Sequence, residues 1–273
     1  MAKVAILLAV YNAEKYLIEC LESIINQSYS DWELFACNDG SKDSSLSIME
    51  RYAANDQRIH ILNNEQNIGI VATRNRLIGA IPAQAEYAAW VDADDICFAE
   101  RIQKQLEFLE AHPEIGAVGA ALEIIDENSR TTGYRHYPEN PEEIHKKLPV
   151  TNVIAQPVLM LRSSVIKSTG LYTFDYPVCE DYDYWLRVSE KYDFANIGEP
   201  LLRYRISTTQ CKQSRLKEML RLTLKIQRDH HRRTGRKMSA ASMLHQLAGS
   251  ILLLLPAKLI LKLFCLLSYK NGK

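Results

Sequence analysis

Four short apolar runs, each followed by a polar cluster and then by residues at helical spacing, narrow the choice of fold more than anything else in this chain. The first is "VAILLAV" (Val4–Val10). A continuous apolar run of strand length is what a strand covered on both faces requires. Behind it Tyr16, Leu17, Cys20, Leu21, Ile24 and Ile25 recur as the stripe of a helix. "WELFACN" (Trp32–Asn38), "RIHILNN" (Arg58–Asn64) and "EYAAWV" (Glu86–Val91) repeat the pattern. Helical stretches follow each of them, the last being "RIQKQLEFLEAH", stopped by Pro113. Such alternation predicts an α/β fold, Rossmann-like, with a mainly parallel central sheet flanked by helices and right-handed crossovers.

In such sheets ligands bind off the carboxyl ends of the strands. Tyr11-Asn12, Asn38-Asp39-Gly40-Ser41 and Asp92–Asp95 all follow strands, so all three are expected on one rim. The last of these, "WVDADD", crowds three carboxylates into four residues. Like charges that close repel unless something positive sits among them. A divalent cation held by oxygen ligands is one solution, and Mg²⁺ or Mn²⁺ usually bridges a carboxylate to substrate phosphates. A solvated turn capping the next helix is another. In "NDGSKD", Gly40 permits an unusual backbone angle and Asp39 can accept hydrogen bonds from a base or ribose, while Ser41 or Asp43 can instead cap a helix. In "EDYDYW" a carboxylate beside Tyr and Trp suits a base near a sugar, or equally an N-cap over a core aromatic.

Beyond Pro113, "IGAVGAALEII" reads as a strand and Asp126–Gly133 as a turn. Residues 134–180, with Pro138, Pro141, Pro149, Pro157 and Pro177, read as a loop-rich insertion over the rim, before "EDYDYWLRVSEK" restarts a helix.

Taken in order, "ILLAVYN", "NDGSKD", "NIGIVATRN", "WVDADD" and "EDYDYWLR" closely resemble family 2 glycosyltransferases of the GT-A fold, over roughly residues 3–205. The resemblance implies a nucleotide-sugar-dependent transferase, usually inverting and metal-dependent. Residues 1–205 would form the catalytic domain, with 1–112 the nucleotide-sugar-binding half and 113–205 the acceptor-binding half. Carried over by position, Val10, Tyr11 and Asn12 in "VYN" would line the donor, with Tyr11 packed on the base. Asp39 would bond the base edge, and Arg74 would approach the phosphate side. Asp92, with Ala93 beside it, would meet the ribose, and Asp94, with Asp95 close by, would hold Mn²⁺ or Mg²⁺. Asp181 would be the general base, with Glu180 orienting the acceptor, and Arg205 would lie near the diphosphate. Two positions depart from the family pattern. Asn38 stands where an aspartate is frequent, and Ser207 where a histidine near the leaving group is frequent. Arg205, Lys212 or Arg215 could substitute for that histidine.

The zero net charge hides an asymmetry. Residues 1–200 hold 17 Lys/Arg against 31 Asp/Glu, and residues 201–273 hold 16 against 2. An acidic body and a basic tail (206–273) suggest a tail that meets an anionic surface. Leu216, Met219, Leu220 and Leu224 form a stripe in its basic first part, and Met238–Ala257 lacks any Lys, Arg, Asp or Glu. Polar residues and Pro256 within that window, and Lys258 and Lys262 after it, favour a helix lying in the membrane interface over a span. The alternatives are a cover for the acidic body or a contact between copies, as a homo-oligomer would have. No motif supports nucleic-acid binding.

The six cysteines show no CxxC or zinc spacing and read as reduced thiols, and the N-terminal run reads as a strand rather than a signal peptide. The expected protein is thus cytoplasmic, attached peripherally to the inner face of the cell membrane. Its donor would be a nucleotide sugar, a UDP-sugar foremost, and its acceptor a glycan or lipid-linked hydroxyl of a surface-polysaccharide precursor. A sugar-nucleotide pyrophosphorylase would need a Gly-rich basic loop after the first strand, which "AVYNAEKYL" lacks. A non-catalytic membrane-associated module that keeps the nucleotide pocket is the remaining rival.

Overall fold

The computed structural model describes residues 3–206 and 213–256, without the side chains of 213–215. Strands β1 (Val4–Val10), β2 (Trp32–Asn38), β3 (Ile59–Asn63) and β4 (Tyr87–Asp92) alternate with helices α1 (Leu17–Ile25), α2 (Ser45–Ala53) and α3 (Ile70–Ala80). These four strands are parallel, in the order β3-β2-β1-β4. Side chains of β1 alternate between two apolar layers. Val4, Ile6, Leu8 and Val10 face the cluster with α1 and α4 (Arg101–Ala111), while Ala5 and Leu7 face the cluster with α3 and α7 (Glu180–Val188). Burial on both faces explains the unbroken apolar run.

The sheet continues through strands of mixed direction. β5 (Ile96–Cys97) follows the acidic loop, and β6 (Ile115–Ile125) and β7 (Thr131–Arg135) form a hairpin at the expected turn. Helix α5 (Pro141–Lys147), strand β8 (Met160–Arg162) and helix α6 (Ser163–Thr169) come next. β8 runs antiparallel between β4 and β6, and β9 (Asp193–Arg205) pairs parallel with β6 and antiparallel with β5. The sheet expected to be mainly parallel is parallel through its N-terminal half, and antiparallel pairs complete it. Residues 134–180 do more than lie over the rim, because β8 is a buried member of the sheet. Three residues behind Pro157 carry too short a pattern to be read as a strand. In β9, Gly198 and Pro200 mask a long strand, and the register shifts opposite Pro200.

The tail begins with α8 (Gln213–Thr234) and α9 (Ala240–Leu254), packed on each other. α8 lies on α7 and buries Leu222, Leu224, Ile226, Gln227 and His230, whereas Met219 of the expected stripe is exposed. Ser207, Lys212, the Arg215 side chain and residues 257–273 lie outside the described residues.

Candidate functional site

Register places the three clusters together. Val10 pairs with Asn38 and Ala9 with Asp92, so the carboxyl ends of β1, β2 and β4 form one rim. Val10 is buried, and the chain leaves it through half-exposed Tyr11 and through Asn12 in the left-handed region (φ 49°). Asn12 locks this turn to the next one. Its N–H donates to Ser41 Oγ at 3.0 Å, and its Oδ1 accepts from the Lys42 N–H at 2.8 Å. Asp43 accepts from the N–H groups of Glu14 and Ser45, so it is Asp43 that steadies the start of α2.

Asp39 is buried and turned toward the protein. Its Oδ1 accepts from Asn64 Nδ2 and the Ile68 N–H, both at 2.9 Å, and its Oδ2 from the Gly69 N–H at 3.1 Å. Gly69 is the N-cap of α3, so the aspartate expected to meet a base edge also fastens the entry of that helix. Gly40 makes the crossing possible. At φ +67° a Cβ there would lie 2.3 Å from the Gln66 carbonyl carbon.

α3 delivers Arg74, which is buried and pairs with Glu180. Its other nitrogen is 3.6 Å from Asp92, whose side chain is partly exposed on the rim. The guanidinium lies 5.8 Å from the ring centres of both Trp90 and Tyr172. Burial opposes the charge on Arg74, but Glu180 and Asp92 outweigh it and raise the guanidinium further above its ordinary range. The resemblance assigned Arg74 to the phosphate side. The structure makes it the bridge between the end of β4 and the first turn of α7.

That turn carries Glu180 and Asp181. Burial raises Glu180 to about 7, against the pull of Arg74 and with the help of Asp181. Burial likewise raises Asp181, Arg74 opposing and Asp92 assisting. Asp181 Oδ2 accepts a long 3.3 Å bond from Asn152 Nδ2, a partner in the irregular segment that sequence reasoning did not single out. Three and four positions after Asp181, Tyr184 and Trp185 are core residues. The core aromatic of the second reading is therefore present, but the N-cap is Cys179 and neither carboxylate caps the helix.

Beneath "DADD" lie two further arginines, both fully buried. Arg205 donates from Nε to the Asp94 carbonyl (2.8 Å), from Nη1 to the Asp126 carbonyl and Ser129 Oγ, and from Nη2 to Glu19 (2.8 Å). It stacks on Tyr16, and its backbone N–H donates to Asp95 Oδ1 at 2.9 Å. Arg205 was expected beside a diphosphate; here its fork is engaged inside the protein as the clasp of the acidic loop. Arg101 donates to the Trp90 carbonyl at 2.7 Å from below β4. It occupies the buried stripe of α4 with Ile102, Gln105, Leu106 and Leu109. A charged residue on an apolar stripe was the signal that would have found it.

Asp95, expected with Asp94 on a metal, is turned under the loop and fully buried, with Oδ2 lacking a partner among the described residues. Burial, then Asp94 and Asp92, push its carboxyl far above the ordinary range. Ala93 is buried, while Asp92 and Asp94 remain partly exposed. Among the described residues no group of three His, Cys, Asp or Glu side chains is placed to hold an ion alone. One rim carboxylate, Asp94, with Asp92 nearby, fits a hard cation completed by diphosphate oxygens rather than a resident ion in a protein cage.

A family model described as glycosyl transferase family 2 matches residues 5–170. An uncharacterized glycosyltransferase of Haemophilus influenzae is 33% identical over 236 residues, 83% of this chain and 72% of that protein. The O-antigen biosynthesis glycosyltransferase WbnJ of Escherichia coli is 29% identical, covering 78% of this chain and 83% of its own length. The E. coli UDP-Glc:alpha-D-GlcNAc-diphosphoundecaprenol beta-1,3-glucosyltransferase WfgD is 27% identical over 80% of this chain and 83% of its own length. Among solved structures, S. aureus TarS 1-349 in complex with UDP-GlcNAc superposes with a TM-score of 0.63 at 18% identity, covering 82% of this chain and 66% of that one. The mannosyltransferase PcManGT from Pyrobaculum calidifontis in complex with GDP-Man and Mn²⁺ gives 0.59 at 15% identity, covering 99% of this chain and 76% of its own. These likenesses show the GT-A fold.

Proposed function

Because this chain belongs to glycosyl transferase family 2, we propose that it is an inverting, metal-dependent hexosyltransferase. It would move a sugar from a nucleotide-sugar donor, foremost a UDP-sugar, to a hydroxyl of a lipid-linked or surface-polysaccharide precursor. The observation that carries the chemistry is the first turn of α7. There two neighbouring carboxylates, Glu180 and Asp181, are raised by burial, and Arg74 ties Glu180 to Asp92 on the rim, leaving Asp181 as the base.

In a single displacement the acceptor oxygen attacks the anomeric carbon while the bond to the nucleoside diphosphate breaks on the opposite face. The hydroxyl proton passes to Asp181, a step that general-base catalysis accelerates about 10²–10⁴-fold. Arg74 holds Glu180, and with it the α7 turn, at a fixed distance from Asp92. Asp39 and Gly40 fix the loop that borders the base side of the donor, and Tyr11 offers an exposed ring for stacking. A bound Mg²⁺ or Mn²⁺, held by Asp94 and the donor's phosphates, would neutralise charge on the leaving diphosphate. The UDP-GlcNAc and GDP-Man bound to the two structural neighbours, and the UDP-Glc donor in WfgD's name, support a nucleotide-sugar donor. The names of WbnJ and WfgD support an acceptor in polysaccharide assembly.

The test is incubation of the purified protein with uridine, guanosine and deoxythymidine diphosphate sugars and Mn²⁺. Binding and release of one nucleoside diphosphate is expected. Neither binding nor release across the panel would refute the assignment.

A further inference from the structure

α9 is amphipathic in the reverse sense for a helix bathed in water. Its protein side is polar or small. Ser242 is buried. Gln246 donates to the Leu224 carbonyl (3.0 Å) and Gln227 Oε1 (2.7 Å), and accepts from Arg228 Nη1 (2.9 Å). At Gly249 a Cβ would lie 2.8 Å from Leu224 Cδ2, so the helices meet there without a side chain between them. The outer side is apolar. Met243, Leu244, Leu247, Ile251 and Leu254 are 53–83% exposed. At about 100° per residue they share an arc of about 100°. Single exposed apolar residues are ordinary; a continuous stripe of five marks an interaction surface.

We propose that this stripe docks on an anionic lipid bilayer, with α9 lying in the interface plane. At about 1.5 Å per residue its 15 residues reach about 22 Å, short of the ~30 Å hydrocarbon core. Among the described residues no helix is long and apolar enough to cross a membrane. Charge selects the occupant. Exposed Arg232, Arg236 and Lys237 precede the stripe, Lys258 and Lys262 follow it in sequence, and residues 201–273 hold 16 Lys/Arg against 2 Asp/Glu. Exposed cations leading into an apolar face, in a segment of strongly basic composition, suit anionic headgroups. The segment beyond Leu254, "AKLILKLFCLLSY", continues the apolar, lysine-bearing composition.

The docking face is linked through α8 to α7 and the segments flanking it. Tyr176 Oη donates to Asp229 of α8 at 2.8 Å, Arg233 to Glu190 at 2.7 Å, and Gln227 Nε2 to Tyr182 Oη at 3.3 Å. A bilayer under α9 would thus set the orientation of the α7 turn relative to the lipid. That consequence rests on the transferase reading; the docking itself does not.

The test uses the full chain and vesicles of phosphatidylcholine with or without phosphatidylglycerol. Wild-type protein should float with the anionic vesicles, and less so as salt rises. Leu244→Gln/Leu247→Gln/Ile251→Gln should lower partition at least about tenfold while nucleotide binding stays unchanged. Undiminished partition of a folded triple variant overturns the proposal. So does a concentration-dependent dimer, measured by sedimentation, that the triple variant abolishes, because the face would then belong to a second copy. Leu247→Trp supplies an independent arm. Trp32, Trp90 and Trp185 are buried, so a blue shift of the new indole on anionic vesicles reports its insertion, and an unshifted emission overturns the proposal.

Discussion

A carboxylate that must take a proton from a hydroxyl works best with a pKa near the operating pH, and burial moves Asp181 that way. The base acts ionised, so a raised pKa places the acid limb of kcat/KM above the ordinary aspartate range, with activity lost as pH falls through it. Arg74 opposes that rise. Arg74→Gln is therefore expected to move the acid limb to still higher pH, measured as a pH–rate profile beside wild type. Asp181→Asn should lower kcat by about 10²–10⁴ while leaving the donor KM nearly unchanged. The same arginine bears on stability. Arg74→Ala leaves buried Glu180 without its partner, at a cost of about 3–5 kcal/mol. Urea titration should find much of that loss restored in Arg74→Ala/Glu180→Ala, since the second change removes the stranded carboxyl. The charge crowded into "WVDADD" is met at this scale by three arginines, Arg74 beside it and Arg101 and Arg205 below.

Among the elements, the acidic loop is a turn pinned from underneath. β5 pairs with β9, and Arg205 at the end of β9 grips the Asp94 carbonyl while its N–H holds Asp95. Arg205→Ala should destabilise the protein by about 2–4 kcal/mol, because it empties a fully buried site, leaves the Asp94 and Asp126 carbonyls without their donor and releases Glu19. It should also raise the Mn²⁺ concentration needed for donor binding; a stable variant with unchanged Mn²⁺ dependence would show that the clasp does not shape the rim. The Gly40 turn is the second fixed point. Gly40→Ala combines a positive φ with a Cβ contact against the Gln66 backbone, so a lower Tm and weakened donor binding are expected together by thermal shift. The strands up to Asp92 and β6 were legible because each is a self-contained apolar run. β8 was not, because three residues show no period and their place in the sheet is set by pairing with β4 and β6. The rim itself was legible from β-strand ends, whereas the partners of Asp39, Asp95 and Arg205 were not. Whether a carboxylate faces a ligand or the protein is settled by tertiary contacts that local pattern does not encode.

In the molecule as a whole, the donor rim belongs to the parallel half and the α7 turn to the mixed half, and β4 and β8 weld the two into one sheet. The tail packs on the back of α7 through α8, so removing residues 239–273 should leave nucleotide binding within about twofold while abolishing vesicle partition. The charge asymmetry suggested a separate duty for the tail, but the inward-facing polar side of α9 became visible only with Gln246 and Gly249 set against Leu224. The central claim is a single displacement driven by one base. It is tested most directly by proton NMR of the glycoside formed from a sugar nucleotide that the protein turns over. The account predicts a product of anomeric configuration opposite to the donor's, formed by wild type and lost in Asp181→Asn. Retention of configuration, or undiminished turnover by Asp181→Asn, would contradict it.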